Sequence, residues 1–522
     1  MDIPNRPCSP LLDLPAELVQ QILSSLSSSD LCRISRTCRL LCNHASDERL
    51  WKPIILSNTH SVKFDANPSR SWRKLFATHH PYWFLPRRKL WFADTAHTGK
   101  LVLARYNPLE DCIEAHSIVA ERLPNTFELW EHNPEVIIHT FSPKVQLDRT
   151  TTVVKLNRAA YSQPADEGNL LQRELAMEVH NDAAGHGLFS LFMLARPVPY
   201  DIVSRGSKVW PPLTIPAAQR TRNESVTRFR GTGHKPARLA ELSDTTWRLR
   251  KWMVFSHPHP LQHNGGGGGG GFTTARVGED VTTFASLDPE LYTPTPTKPW
   301  RGIWCGDYAG HGCEFLLVLQ PDDPAPLPEG AVRALARRDS SASTTSSSSS
   351  SVGSWATVQS HLQTSDGDDE DDEYLDLGSA AAESLEASTA TVMDGCDQCQ
   401  PRSREEERRR IREKKRRESE LFSGRIEAVK LTGDPNIPRG EYTFIAPDIG
   451  PEGFVRTAEE EIFRGARVVK SVGHIAARGY RDDEFISSQL IMISHDRLAQ
   501  YWVPFGHISF YQRVDLDALL NS

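Results

Sequence analysis

Apolar positions follow two different periods along the chain. Between Leu11 and Trp51 they recur every three or four residues: Leu18, Ile22 and Leu26 fall four apart, and Leu31, Ile34, Cys38 and Leu41 continue the spacing. That is the signature of one helix face. Leu14-Pro15 stands just before the first run, where Pro15 suits an opening helical turn. Ser27-Ser28-Ser29-Asp30 breaks the run and offers N-caps for the next helix, and Asp47 caps a last turn ending at Leu50-Trp51. From Lys89 onward the runs are short and bounded by turns, at 89–93, 99–104, 136–141, 151–156, 188–195, 301–319, 425–431, 441–445, 467–480 and 487–514. Near the end Ile508, Phe510 and Val514 alternate with Ser509, Tyr511 and Arg513, the period of a half-buried strand. A helical start followed by many short strands predicts an α+β chain whose larger part is a sandwich or barrel.

Three stretches break this pattern. Gly265–Gly271 is an unbroken glycine run, the composition of a flexible tether. Tyr292–Lys298 alternates Thr and Pro. The longest, 321–423, holds a Ser/Thr tract (340–351), an acid run (366–373) and a basic stretch (402–417). It has too little apolar area to offset its ordering entropy, so it reads as disordered. Strand-like sequence flanks it on both sides, which makes it an insertion in a loop of one β domain. Charge changes the picture only here. The 522-residue chain carries 60 basic and 67 acidic residues, a net −7, but 321–423 alone holds 13 basic and 22 acidic ones. The rest is nearly neutral, and nothing in it suggests a nucleic-acid partner. No apolar run reaches the roughly 18 residues of a membrane span, so no membrane partner is expected. The first residues lack the form of a signal peptide. Most of the 9 cysteines stand singly. These features predict free thiols in the cytosol or nucleus.

The N-terminal residues carry a more specific message. Leu14-Pro15-Ala16-Glu17-Leu18, the Ile22-Leu23 pair, Asp30-Leu31, Cys38-Arg39 and Leu50-Trp51 occur in this order. The series resembles an F-box, and the agreement of many separated positions makes it specific. Short helices cannot bury all of these leucines against one another, and a partner groove would take the surplus. The resemblance implies that the partner is the Skp adaptor of a Skp–cullin–F-box ubiquitin ligase, with Leu14, Pro15, Leu18, Ile22, Leu23, Leu31 and Trp51 at the adaptor contact. Packing of those side chains on the chain's own β domain is the alternative.

A second resemblance lies in the β region. The segment from Arg301 to Glu314, the loop Lys430-Leu431-Thr432-Gly433-Asp434-Pro435-Asn436-Ile437-Pro438-Arg439-Gly440, and the close from Gly473 through Trp502 to Val514 are similar to the F-box only protein 31 family. That similarity implies a substrate receptor: a three-helix F-box followed by a mostly antiparallel closed β-barrel that captures degrons, including C-terminal segments and chains ending in an amide. The organisation expected is a leader at 1–10, the F-box at 11–58, a helical linker at 59–88, the barrel at 89–320 and 424–522 with a flexible loop at about 256–299, and the disordered insertion at 321–423. Cys305 and Cys313 flank the Gly-rich turn where the family has other residues.

Candidate substrate-binding residues are Tyr308, His311, Thr432, Asp434 and Asn436. Tyr308 and His311 bracket Ala309-Gly310, where glycines let a peptide backbone approach, or else the turn is simply tight. Asp434 either ties its own turn or accepts from a ligand N–H. Trp300, Trp304 and Trp502 are core fillers or ligand platforms. No catalytic residue, metal or cofactor is expected. Cys396-x-x-Cys399 lacks a second ligand pair for zinc, the histidines at 257, 259 and 263 fit a polar linker, and the glycine run lacks the ending of a phosphate loop. The basic residues at 408–410 and 414–417 fit a charged helix or an import signal. An alternative to the ligase role is an F-box protein that acts with the adaptor outside a cullin complex, in trafficking or as a scaffold.

Overall fold

Pro15 fixes the entry to the first helix, α1 (Ala16–Ser24), and the Ser27 side chain accepts from the Asp30 N–H to open α2 (Ser28–Ile34). The helices α3 (Arg39–Ala45), α4 (Glu48–Thr59, capped by Asp47), α5 (Trp72–His79) and α6 (Phe84–Arg88) follow. In this computed structural model the described residues are 10–60, 71–95, 98–123, 127–139, 141–162, 169–177, 187–198, 208–222, 226–258, 272–307, 312–341, 409–410, 412–413, 416, 419–433 and 436–522. Tyr308, His311, Asp434, Cys396, Cys399, the glycine run and the acid run lie outside them. The chain divides into one unit of residues 1–338 and 423–522 and another of residues 339–422. In the latter, Arg409–Glu413 and Arg416–Glu420 are i,i+4 ion pairs at 3.6 and 3.5 Å, the arrangement of a charged, solvated helix.

The strands, in chain order, are β1 (Leu90–Ala93), β2 (Lys100–Asn107), β3 (Cys112–Arg122), β4 (Phe127–Trp130), β5 (Asn133–His139), β6 (Pro143–Leu156), β7 (Glu174–Ala176), β8 (Gly187–Leu194), β9 (Thr246–Pro258), β10 (Phe272–Ser286), β11 (Gly302–Asp307), β12 (Cys313–Leu319), β13 (Ile426–Lys430), β14 (Tyr442–Ala446), β15 (Phe454–Thr457), β16 (Arg467–Ala477), β17 (Arg481–Met492), β18 (Arg497–Trp502) and β19 (His507–Arg513). They form two separate bodies. Eight make an open sheet in the order β6-β3-β2-β1-β10-β9-β8-β7. Another eight run β11-β12-β13-β14-β16-β17-β18-β19 and close through β19–β11 pairing, with all the joints antiparallel. This is a closed eight-stranded barrel, and full closure leaves it no free edge. The expected barrel is therefore present, but it is narrower than 89–320 and 424–522. Strands before residue 287 belong to the open sheet or, as β4 and β5, add to the outside of β19. The loop expected at 256–299 is shorter too, since β9 and β10 occupy both of its sides.

The open sheet is the middle of three layers. Its strands β1 and β2 are apolar on both faces. Leu90, Phe92, Leu101 and Leu103 share a core with the barrel wall residues Ile303, Cys305, Phe315, Leu317, Val429 and Leu431. The alternate residues Trp91, Ala93, Val102 and Ala104 share another core with Val19, Leu23, Leu31, Trp51 and Ile55 of the helices. Continuous apolar runs are what a strand buried on both faces requires. The insertion begins with order: α7 (Glu329–Ser341) buries Ala331 and Ala334 against Ile445 of β14 and Val472 of β16. This corrects the reading of 321–423 as disordered from its start. The short α8 (Leu516–Asn521) closes the chain, buried through Leu516 and Leu519.

Candidate functional site

Two surfaces merit description, one on the helices and one on the barrel. On α1 a five-residue step separates inside from outside. Leu23 is 1% exposed, whereas Leu18 and Ile22, one turn apart, are 46% and 43% exposed. Leu14 lies one turn earlier and is also exposed, as are Pro15 and, on α3, Leu40. Leu31 and Trp51 are buried. The Trp51 indole N–H donates to the Ala45 carbonyl at 2.8 Å, and its ring meets Phe76 at 5.3 Å. Leu23, Leu31 and Trp51 therefore hold the helices on the open sheet and offer no contact surface. Leu14, Pro15, Leu18 and Ile22 form the available apolar stripe.

Side-chain alternation gives the barrel two different faces. The Phe444 and Tyr511 rings, on strands that do not pair, meet at 5.3 Å across the lumen. The same inward parity places Ser471, Ser488, Gln500 and Ser509 inside. Gln500 Nε2 donates to Ser488 Oγ at 2.6 Å and to Ser471 Oγ at 3.2 Å, and the two serine hydroxyls are 2.9 Å apart. The Trp502 indole donates to Ser509 Oγ at 3.1 Å. A Cβ on Gly473 would stand 2.1 Å from the Trp502 ring, so the glycine makes room for the indole. Trp300, Trp304 and Trp502 are all buried and act as fillers. A polar seam in a lumen filled by large rings is unusual enough to be noticed, since each buried polar atom costs free energy unless bonded. Gln500 Oε1 has no hydrogen-bond partner among the described residues.

At the end of the barrel near Asp307 and Cys313, charge enters. Glu314, fully buried, pairs with Lys430, also buried, at 3.0 Å. Two charges out of water need each other. Gly433 lies directly against this carboxylate, where a Cβ would be 2.3 Å from it, and its φ of 135° also favours glycine. Asp307 pairs with Arg122 of β3. The Cys313 thiol lies against Cys305, and this contact, with burial, holds the Cys305 thiol well above the usual range.

The loop that follows β13 is fastened from both sides. The Phe315 N–H donates to Thr432 Oγ1 at 2.8 Å, the Gly433 N–H to the Thr98 carbonyl at 2.7 Å, and Asn436 Nδ2 to the Ala476 carbonyl at 2.9 Å. Thr432 and Asn436, expected at a ligand, are thus bonded within the fold. The charged pair one strand deeper, Glu314–Lys430, was missed by sequence reasoning. Its signal, Glu314 at the start of the apolar run 313–319 and Lys430 at the end of 426–430, is present in the sequence. No group of three or more metal-ligating side chains is placed to hold an ion among the described residues.

Comparison with known families follows the same division. Residues 11–57 match the F-box-like family, which covers α1 to α3 and most of α4. Residues 284–518 match the family described as Cyclin D1 binding domain, a span that contains every strand of the closed barrel. No curated protein matches the chain.

Proposed function

The chain being an F-box protein, with the Skp-binding module of Skp–cullin–F-box ligases at its N-terminus, we propose that it is a non-catalytic substrate receptor whose barrel captures the target. The observation that carries this reading is the exposed stripe of Leu14, Leu18 and Ile22 on helices whose opposite side is buried in the open sheet. Exposed apolar rows of this kind suit the groove of a partner. The buried side joins the module to the sheet, and the sheet shares its other core with the barrel. A target on the barrel then stands at a set place relative to the ligase. Catalysis in such an assembly is proximity: holding a lysine near the ubiquitin thioester raises its effective concentration.

Capture by the barrel rests on its similarity to a Cyclin D1 binding domain and on the resemblance to the F-box only protein 31 family. Both favour a protein ligand, and the latter a C-terminal segment with a free or amidated end. The end of the barrel near Asp307 and Cys313, whose wall the buried Glu314–Lys430 pair holds in place, is assigned to that ligand. Tyr308, His311 and Asp434, neighbours in sequence of this end of the barrel, are assigned to the same ligand. Cytosol or nucleus is the proposed location.

Co-purification of the full chain tests the adaptor half. The Skp adaptor and a cullin should both be recovered, and Leu18→Asp with Ile22→Asp should lose both while remaining folded. Recovery of the adaptor without a cullin would favour the scaffold role instead. An array of peptides with free and amidated C-termini tests the barrel half. Indifference to the terminus would remove the terminal-degron part of the reading.

A further inference from the structure

The hairpin of β11 and β12 holds two cysteines that the receptor role leaves unused. In its register Asp307 stands opposite Cys313, and Cys305 opposite Phe315. Cys305 and Cys313 are therefore diagonal neighbours on one face of the hairpin, within reach of each other's side chains. That face looks toward the open sheet: Cys305 belongs to the core shared with Leu90, Phe92 and Leu101, and Cys313 packs against it. Both are free thiols, and the Cys305 S–H donates a hydrogen bond to the Cys313 sulfur.

Their surroundings differ, and this gives each sulfur a separate part. Cys305 is fully buried, whereas Cys313 is half-buried at the last rung of the hairpin. The hydrogen bond from Cys305 favours the Cys313 thiolate and the nearby Arg122 adds to it. Burial, Asp307 and Glu314 oppose it, and the balance lies below the usual thiol range. The contact with Cys313, together with burial, keeps Cys305 protonated. Cys313 is thus the sulfur that ionises first and meets solvent, as an attacking thiolate must. Cys305 is a second thiol already in contact with it. The pairing of β12 with β13 begins only at Leu316, so the backbone adjustment that brings two sulfurs to bonding geometry falls on the end of β12 that is paired on one side alone.

We propose that Cys305 and Cys313 form a reversible disulfide in response to peroxide, fastening the two strands where residues 308–312 connect them. The Cys313 thiolate attacks one peroxide oxygen. The O–O bond breaks, a sulfenic acid forms, and hydroxide leaves and takes a proton from solvent. The Cys305 sulfur then attacks the Cys313 sulfur. The S–O bond breaks, and hydroxide leaves as water with the Cys305 proton. Two electrons pass from the thiols to peroxide, whose oxygens end in two waters, and a dithiol reductant reverses the change. This sulfur chemistry stands independently of what the barrel captures.

Mass spectrometry of the full chain tests it. The folded, reduced chain is exposed to hydrogen peroxide, its remaining thiols are blocked with N-ethylmaleimide, and it is cleaved with trypsin. Cys305 and Cys313 fall in one fragment, Gly302–Arg333, which holds no other cysteine. That fragment should become lighter by two hydrogens and lose both alkylation sites, and dithiothreitol should restore them. Buried Cys112, whose thiol is pushed up to about 12 by burial and Glu114, is the reference, and its oxidation should need at least about tenfold more peroxide. In Cys313→Ser the fragment should keep the Cys305 thiol. In Cys305→Ala dimedone should trap a sulfenic acid on Cys313. Cys305 is core, so an unchanged melting temperature is required of that variant, and the wild-type and Cys313→Ser results decide the matter without it. The proposal is overturned by a fragment that keeps both thiols at a dose that oxidises the exposed Cys32 and Cys38, or by sulfinic acid on Cys313 with no disulfide. Loss of two hydrogens that persists in a folded Cys313→Ser chain would overturn it equally.

Discussion

Leu18 and Leu23 stand on the same short helix and have opposite work. Leu23 and Trp51 are core, and Trp51→Ala should destabilise the protein by about 3–5 kcal/mol in denaturant unfolding. Leu18→Asp should leave the unfolding midpoint unchanged and act only on partner binding. Which leucines of the motif face outward was not legible in the sequence, because the inward face is decided by Trp91, Val102 and Trp247 on strands far along the chain. The same holds for Thr432 and Asn436: a polar turn reads alike whether its side chains wait for a ligand or bond to Phe315 and Ala476. His234 provides a pH test at this scale. Its pKa of about 4 lies below the ordinary 6.5, so between these values the unfolded chain takes up the proton first and stability falls as pH drops from 6.5 to 4. His234→Gln should flatten that part of the profile in thermal melts taken across the window.

At the scale of elements, the continuity of the apolar residues in β1 and β2 was the most informative feature and also the most misleading. Their unbroken apolar runs announced buried strands correctly. They could not announce that the strands belong to a separate sheet between helices and barrel, since a strand buried on two faces looks the same in either body. The helix α7 was hidden differently: Ala331, Ala334 and Leu335 have helical spacing, but the run stands between prolines and a serine tract. Ala331→Glu would force a charge against Ile445 and Val472. It should cost about 2 kcal/mol or more and raise hydrogen exchange in β14 and β16. Glu114 links β3 to β2 through Arg105, which it meets at 2.8 Å, and Arg105 also donates to the Leu520 carbonyl at 3.2 Å in α8. Burial raises the Glu114 pKa, but hydrogen bonds from His116, Arg105 and Asn107 outweigh it and bring the group down to about 2 from 4.5. Its contribution is therefore complete above about pH 4.5 and is lost as pH falls toward 2. Glu114→Gln should reduce stability at pH 7 and narrow the difference from wild type in acid.

For the whole molecule, the division of the chain was legible: a helical F-box, then a closed β-barrel, with the net charge confined to an insertion. The layered order of helices, open sheet and barrel makes the receptor reading mechanical, because the two ends share cores with one sheet. The most direct measurement is ubiquitin transfer in a ligase reconstituted from the Skp adaptor, a cullin with its ubiquitin-loaded enzyme and the full chain, acting on a target selected by the barrel. The account predicts that transfer is lost both in the Leu18→Asp, Ile22→Asp chain, which keeps the barrel, and in a folded Asp434→Ala chain, which keeps the F-box. Transfer that persists at the wild-type rate in either variant would contradict it.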